Sequence, residues 1–423
     1  MNNKGYSPII LIIGFFIFAV FIGGGYYFYN SYSKYNSQRN AAASTNPVVI
    51  PYSENPQYPD VSIRNETLPL QTTSQVEVKQ DIKIVTTKAQ GKINESPKTE
   101  VPKKSVLNIS PPPKPTSSDQ IINKKVFLVV YNPKSVNKSV IEEYGYRNPQ
   151  TITNEVISFF NEVTSGRIKY SIVKNQTFDY FPVKTDGFTY TAATYNTCLK
   201  SSDKSKDCHS PDTADYLAIL KLTEACELAN KGEIDELWIW GGPYFGFWES
   251  NMAGPGAFFL NSGPTTGSTC QKILPIMGFS YERTVNEAVH NFGHRAESSM
   301  KKVFGSWDPK PTHEWNRFTL LNKDQKDLAG CGNIHFAPNS TKDYEYTSKN
   351  YVLSHCDDFR EYPTIRGNYK KINCEEWGCS ELNYYKYWWT HLPQNTGKHA
   401  DSDTGKEILN NWLFYVFDFS WVK

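Results

Sequence analysis

Several common catalytic and binding signatures are missing from this 423-residue chain. It has no phosphate-binding loop, no dinucleotide fingerprint, no nucleophile elbow and no evident repeat. Although it has eight cysteines, no two of them have the C-x-x-C spacing of a zinc ribbon or a thioredoxin-type centre. The net charge of +2 gives no indication of a nucleic-acid or acidic partner. The candidate chemistry therefore rests on histidines and carboxylates.

The first 120 residues also lack the residue types that build a core. Every cysteine, histidine and tryptophan lies beyond Tyr131, and no aromatic residue occurs between Tyr58 and residue 120. Residues 31–120 are rich in Ser, Thr, Asn, Gln, Lys and Pro, and such a composition buries too little apolar surface to offset the entropy of ordering. We therefore expect a disordered linker over residues 31–120 and a globular domain over residues 121–423.

One long apolar run precedes the linker. Residues 8–29 are almost wholly apolar and end in an aromatic cluster. This length crosses a bilayer, and the aromatic cluster suits the membrane interface. Because no small-x-small cleavage site follows directly, we expect a transmembrane anchor within residues 1–30 rather than a signal peptide. The anchor would contact the lipid bilayer through residues 8–29, with the large C-terminal domain outside the cytoplasm.

Cysteine spacing supports an oxidising compartment for that domain. The pairs Cys198 with Cys208 and Cys374 with Cys379 are close enough in sequence to close small loops. The cysteines left for longer bridges are Cys226, Cys270, Cys331 and Cys356. Their pairing stays open, because eight cysteines allow many connectivities. Behind a membrane anchor, disulfides are favoured over free thiols.

The pattern of the globular part predicts an α/β (or α+β) domain with a mixed sheet. Residues 125–131 are a continuous apolar run typical of a buried strand, and helix 154–163 leads to an alternating strand at 168–173. A helix is expected at 212–230, capped by Asp212 or Thr213. Further strand candidates are residues 236–240, 257–260 and 273–278. A loop-rich, aromatic C-terminal part follows, closed by a core element at residues 411–419.

Residues 281–300 predict a helix with potential ligands on one face. That face carries Arg283, Glu287, His290, His294 and Glu297. Imidazoles at i and i+4, with carboxylates one turn to either side, have the spacing that holds a divalent metal such as zinc. An ordinary solvated polar face is the alternative interpretation.

The run Asn-Glu-Ala-Val-His-Asn-Phe-Gly at residues 286–293 resembles the active-site helix of metzincin metallopeptidases, whose pattern is H-E-x-x-H-x-x-G-x-x-H. The resemblance implies a zincin-like domain in which Glu287 is the general base, His290 is the second metal ligand and Gly293 marks the end of the helix. Asn286 and Ala296 stand where the pattern has its first and third histidines.

A second register is equally open. His290 and His294 have zincin spacing, but Asn291 then occupies the base position and cannot take a proton. In this register a third ligand comes from outside the helix. The candidates for it are His313, Glu314 and His335.

A glycine-rich and aromatic loop follows the predicted strand at residues 236–240. Loops at the carboxyl ends of such strands commonly form ligand sites. Tyr244, Trp248 and Asn251 are therefore candidate substrate-binding residues, and Glu249 is a second candidate base. Aromatic faces suit sugar rings and peptide side chains alike, while rings that fill a core under the loop are the alternative.

These observations favour a membrane-anchored extracytoplasmic hydrolase, specifically a divergent metal-dependent peptidase. Its metal, expected to be zinc, would be held by His290, His294 and either Glu297 or an outside ligand, with Glu287 or Glu249 activating water. One alternative is a metal-free glycoside hydrolase that uses two of the carboxylates of Glu249, Glu287 and Glu297. Another is an inactive module that binds a cell-surface peptide or glycan.

Overall fold

A five-stranded mixed sheet lies at the centre of the domain. The computed structural model describes residues 121–135 and 137–422. The strands are β1 (Ile122–Tyr131), β2 (Ile168–Phe178), β3 (Glu236–Gly241), β4 (Ser250–Ala253) and β5 (Leu274–Ser280). Their order across the sheet is β2-β1-β3-β5-β4, and only β4 runs antiparallel to its neighbour. The predicted α/β class with a mixed sheet is therefore confirmed.

Helices and two small sheets surround this centre. The α-helices are α1 (Val140–Tyr144), α2 (Pro149–Val163), α3 (Ala192–Lys200), α4 (Lys204–Asp207), α5 (Tyr216–Thr223), α6 (Ala225–Asn230), α7 (Val285–Phe304), α8 (Glu314–Thr319), α9 (Glu381–His391) and α10 (Leu413–Phe417). The small sheets pair β6 (Val352–Ser354) with β7 (Lys370–Ile372), and β8 (Gln394–Ala400) with β9 (Glu407–Asn411). Short 3-10 helices span Cys356–Glu361, Cys374–Trp377 and Phe419–Trp421.

Helix α7 is the longest helix of the described part, and it contacts β5, α2, α9 and α10. It begins after Thr284, whose hydroxyl accepts a hydrogen bond from the backbone N–H of Asn286, and it ends at Gly305 with φ 83°. The expectation that the helix ends near Gly293 is wrong. Gly293 lies inside the helix. Ile334 packs against it so closely that an added Cβ would overlap the Ile334 side chain. The glycine therefore brings the loop around Ile334 close to the helix.

A buried ion pair fixes α7 to the sheet. Arg295 donates from Nη1 and Nη2 to the two carboxylate oxygens of Glu236 in β3, at 2.9 and 2.8 Å. Its Nε donates to the carbonyl of Val416 at 2.9 Å, and both charged side chains are fully buried. A bidentate pair of this kind constrains orientation as well as distance. It therefore fixes the rotation of α7 about its own axis.

Two predicted elements differ in the structure. The helix expected at 212–230 is broken at Glu224, which has φ 53°, and its first part is capped by Asp215 rather than by Asp212 or Thr213. Residues 257–260 form no strand, because Leu260 packs with Met252 and Phe419 in a small separate cluster. Irregular chain buries that apolar side chain without strand pairing.

All eight cysteines are paired. The disulfides are Cys198–Cys208, Cys226–Cys270, Cys331–Cys356 and Cys374–Cys379. The two short-range pairs are those expected from sequence, and the four remaining cysteines do form longer bridges. Within the described residues, no helix is long and apolar enough to span a membrane. The predicted anchor and linker lie outside the described residues.

Candidate metal centre

Three histidines from two parts of the chain meet beside α7. His290 and His294 lie one turn apart on the helix, and His335 lies in the loop between α8 and β6. Each ring offers one nitrogen, and these nitrogens all lie within 4.8 Å of one another. The Nε2 atoms of His294 and His335 are 3.1 Å apart. This group can hold a metal ion.

The partner of His294 fixes the position of its ring proton. Its Nδ1 is 2.9 Å from Oε2 of Glu297. The other oxygen of Glu297 accepts a hydrogen bond from the backbone N–H of Ile334 at 2.9 Å. Because an ionised carboxylate only accepts, Nδ1 of neutral His294 must carry the proton. Its Nε2 then presents a lone pair toward His335.

His290 is held in the same tautomer, with its proton on Nδ1, by Tyr385 and the neighbouring Tyr346. The hydroxyl of Tyr346 donates to the carbonyl of Ile334 at 2.6 Å, and that of Tyr385 donates to Oε1 of Glu381 at 2.9 Å. With its proton committed, the Tyr385 oxygen accepts from Nδ1 of His290, 3.1 Å away. The Nε2 of His290 is therefore left as an acceptor.

His335 is oriented by a longer contact. Its Nδ1 is 3.4 Å from the carboxylate of Asp343, and its backbone N–H donates to the side chain of Asn333 at 3.0 Å. The carboxylate again favours a proton on Nδ1. Its Nε2 is 3.1 Å from Nε2 of His294 and 3.4 Å from the hydroxyl of Tyr344. One nitrogen of each of the three rings therefore borders the same small volume.

Burial keeps the deepest of these rings neutral. Burial, together with the two neighbouring imidazoles, lowers the pKa of His290 to about 3. For His294, burial also acts to lower the pKa, but the hydrogen bond and the charge of Glu297 outweigh it and raise the pKa. A neutral imidazole is the form that binds a metal, so His290 is ready to ligate at neutral pH.

Glu249 faces the same point from the opposite side. Its Oε2 is 3.6 Å from Nε2 of His294 and, among the described residues, this buried oxygen has no hydrogen-bond partner. Burial raises the pKa of Glu249, and the charge of Glu287 adds to the rise, while His294 and His335 oppose it. The side chain as a whole is 40% exposed, so solvent reaches the carboxylate from the cleft.

A cleft of about 630 Å³ opens beside the histidines. It is lined by Glu249, Arg283, Glu287, His290, Tyr344, Tyr346, Thr347 and Glu381. Glu287 pairs with Arg283 at 3.4 Å, and burial raises its pKa. Both predicted base candidates, Glu249 and Glu287, therefore border the cleft. Of the two, Glu249 is the one in contact range of a nitrogen of the three-histidine group.

The predicted ligand Glu297 has a different position from the one expected. Both its oxygens accept hydrogen bonds, one from His294 and one from Ile334, so the carboxylate lies behind the imidazole. Of the outside candidates, the structure brings His335 to the helix. His313 caps α8 through Nδ1 and contacts Ser306 through Nε2. Glu314 is 2.7 Å from Nε2 of His399.

The predicted substrate-binding residues are not assembled into one surface. Trp248 is exposed beside Glu249. Asn251, a predicted substrate-binding residue, is buried, and its amide bonds Ser262, Gly263 and Thr265 within the fold. Tyr244 is part-buried and has φ 61°, and its carbonyl accepts from Lys184 at 2.7 Å. Tyr244 therefore has a role in loop structure.

The residues of the two sequence registers lie in different surroundings. Asn286, at the first histidine position of the longer pattern, donates to Glu381 at 2.8 Å, and Ala296, at its third position, is fully buried. Asn291 donates to the carbonyl of Gly278 in β5 at 2.8 Å. The histidines that converge are those of the shorter register, completed by His335. The chain matches no protein-family model, no curated protein and no solved structure.

Proposed function

We propose that the chain is a metal-dependent hydrolase that cleaves peptides, with zinc held by His290, His294 and His335. The supporting observation is the convergence of one nitrogen from each of three imidazoles, whose other ring nitrogens contact Tyr385, Glu297 and Asp343. Three imidazole nitrogens are a typical ligand set for zinc.

One nitrogen–nitrogen distance in the group is compatible with zinc. Zinc binds imidazole nitrogen at about 2.0 to 2.1 Å with tetrahedral geometry, so two coordinating nitrogens lie about 3.3 Å apart. The 3.1 Å between Nε2 of His294 and Nε2 of His335 is close to that value. Three protein ligands with an open fourth position are typical of catalytic zinc rather than structural zinc. A metal held there would polarise a water molecule and a substrate carbonyl.

Glu249 is the proposed general base. Its free Oε2 faces the histidine group, and its raised pKa brings it closer to the range of an effective base at neutral pH. Asn291, which holds the sequence position of the base in zincins, cannot serve. We infer that a carboxylate from the β3–β4 loop replaces the helical one. Glu287, bordering the same cleft, is proposed to contact substrate.

A peptide is the proposed substrate because of the zincin-like His-x-x-x-His spacing and the form of the cleft. The cleft is bordered by carboxylates, tyrosine rings and one guanidinium, which can bind a peptide backbone and its side chains. The four disulfides suit an oxidising compartment. We therefore propose an extracytoplasmic enzyme that residues 8–29 anchor to the bilayer and that acts on peptides at the cell surface.

Metal content tests the first part of the proposal. The full chain, purified in mild detergent without chelator or polyhistidine tag, should contain about one zinc per chain by mass spectrometry. His290→Ala and His294→Ala should each lose it. His209→Ala is the matched control, because its ring stacks on Phe188 and pairs with Asp186 away from the site. A metal-free wild type, or full retention in both site variants, would contradict the proposal.

Hydrolysis tests the second part. Zinc-loaded protein should cleave members of a mixed peptide library, with products identified by mass spectrometry. Glu249→Gln should keep the zinc but lower kcat by about 100-fold or more, as for loss of a general base. Glu287→Gln should have a smaller effect, mainly on KM. Zinc binding without cleavage of any peptide would exclude the peptidase assignment, and glycan cleavage without metal would favour the glycosidase alternative.

A further inference from the structure

Glu297 bridges the two chain segments that supply the histidines. It is 4% exposed, and its two oxygens accept from Nδ1 of His294 and from the backbone N–H of Ile334, both at 2.9 Å. Ile334 directly precedes His335. One buried carboxylate therefore contacts a ligand on the helix and the residue beside the ligand on the loop.

The two donors differ in one respect. The backbone N–H of Ile334 has a fixed proton, whereas neutral His294 can carry its proton on either ring nitrogen. Only a side chain that accepts two hydrogen bonds can bond the backbone N–H of Ile334 and also hold the ring proton of His294 on Nδ1. The second contact of Ile334, its carbonyl, is already occupied by the hydroxyl of Tyr346 at 2.6 Å, so the loop has little freedom to adjust.

We propose that Glu297 is a positioning residue that selects the metal-binding tautomer of His294. With the carboxylate present, Nε2 of His294 is an acceptor and faces Nε2 of His335 as a second acceptor, so the pair requires a cation. The functional consequence rests on the proposed metal site, but the tautomer itself does not.

A glutamine at this position should reverse the tautomer. Its single amide oxygen would accept from Ile334, leaving its NH₂ group to face Nδ1 of His294. The ring proton would leave Nδ1 and a proton would be taken up at Nε2 through solvent, with no net change in charge. Nε2–H would then donate to Nε2 of His335, 3.1 Å away. The metal site would become a closed hydrogen-bonded histidine pair.

The test is ¹⁵N NMR of the imidazoles in the metal-free full chain, at an alkaline pH where they are neutral. The His294 signals are identified by their loss in His294→Ala. Wild type should show the Nδ1–H tautomer, and Glu297→Gln the Nε2–H tautomer. Glu287→Gln, the same change two turns before His294 on the same face of the helix, should leave His294 unchanged. Glu297→Asp, which keeps a carboxylate, should restore Nδ1–H.

Zinc affinity is the second readout. Glu297→Gln should weaken it by about 10- to 100-fold, the range found when the outer partner of a metal-bound histidine is lost, and Glu297→Asp should recover part of the loss. Retention of Nδ1–H in Glu297→Gln would overturn the inference. A wild type with the Nδ1–H tautomer but no zinc binding would instead contradict the proposed function and leave the tautomer assignment standing.

Discussion

His294 and Arg295 are neighbours on α7, but they lie on different sides of the helix. The polar side chains on these two sides differ in how their hydrogen-bonding groups are paired. On the core side, Arg295 and Glu236 are both fully buried and satisfy each other through two hydrogen bonds. On the cleft side, His290, His294 and His335 present acceptors to one another, and Glu249 adds an oxygen without a partner. In the first arrangement each charged group is paired within the protein, whereas the second offers ligand atoms that can hold a cation.

This difference separates a structural polar group from a functional one more clearly than burial does. Guanidinium supplies only donors and carboxylate only acceptors, so their pairing needs nothing else. The imidazoles could in principle pair with one another. The contacts of His290 with Tyr385 and of His294 with Glu297 favour a proton on Nδ1 of each ring and leave Nε2 as the acceptor. The contrast predicts that changes on the core side alter stability and that changes on the cleft side alter metal binding.

The largest effect is expected from breaking the closed pair. Glu236→Gln leaves a buried guanidinium without its counter-charge, which should lower the free energy of unfolding by about 3 to 5 kcal/mol. Urea unfolding monitored by tryptophan fluorescence measures this. Zinc stoichiometry of the folded fraction should stay unchanged. A loss of zinc equal to that in His294→Ala would show that the two sides of the helix are not independent.

Loss of His335, the proposed ligand from the loop, should have an effect almost as large, but only on metal binding. His335→Ala should weaken zinc binding by more than about 100-fold, beyond the range for outer partners. Its metal-free form should unfold close to wild type, because the ring is part-exposed. Competition with a chromophoric chelator measures the affinity. Unchanged zinc affinity would remove His335 from the site and return Glu297 as a candidate ligand.

A change at the contact between the helix and the loop should affect both stability and zinc affinity. Gly293→Ala forces a Cβ against the side chain of Ile334, and overpacking of this kind costs about 1 to 3 kcal/mol. Because His335 follows Ile334, zinc affinity should fall as well. Gly263→Ala, where an added Cβ meets no atom within 4 Å, is the control. Equal stability and equal zinc affinity in both variants would contradict the described contact.

The smallest effect distinguishes the two sequence registers. Asn286 occupies the first histidine position of the metzincin pattern but donates to Glu381 in the structure. Asn286→Ala should cost about 1 kcal/mol, the value of one partly exposed hydrogen bond, and should leave zinc stoichiometry at one per chain. Loss of zinc in this variant, measured by mass spectrometry, would mean that the longer register describes the site after all.

Periodicity and composition were sufficient to predict four of the five strands of the sheet, the position of α7 and the two short disulfides, but β4 lies in a stretch that was expected to be a loop. After Glu236, strand β3 is apolar because its residues are buried on both faces, which is why a continuous run marked it. The break at Glu224 was not predictable, because helical periodicity continues across it. The apolar run at residues 257–260 was also misleading, since only Leu260 is buried, in a small separate cluster, while Phe259 is 58% exposed.

For the candidate site, the ligand-bearing helix could be predicted from the sequence, but the position of the loop could not. The spacing of His290 and His294 is a local property, so it can be read from sequence. The choice of His335 depends on how close the loop comes to Gly293, and no local pattern encodes that distance. Glu297 was expected as a ligand because it shares the helix face. Its two hydrogen bonds to His294 and Ile334 depend on tertiary structure.

The most direct test of the metal centre is X-ray absorption spectroscopy at the zinc K-edge on the full chain as purified. The expected first shell contains three imidazole nitrogens at about 2.0 to 2.1 Å together with one light atom. In His335→Ala, any zinc still bound should show one imidazole fewer. A shell of oxygens alone, or one with sulfur, or a spectrum unchanged in His335→Ala, would contradict the assignment of His290, His294 and His335 as the ligands.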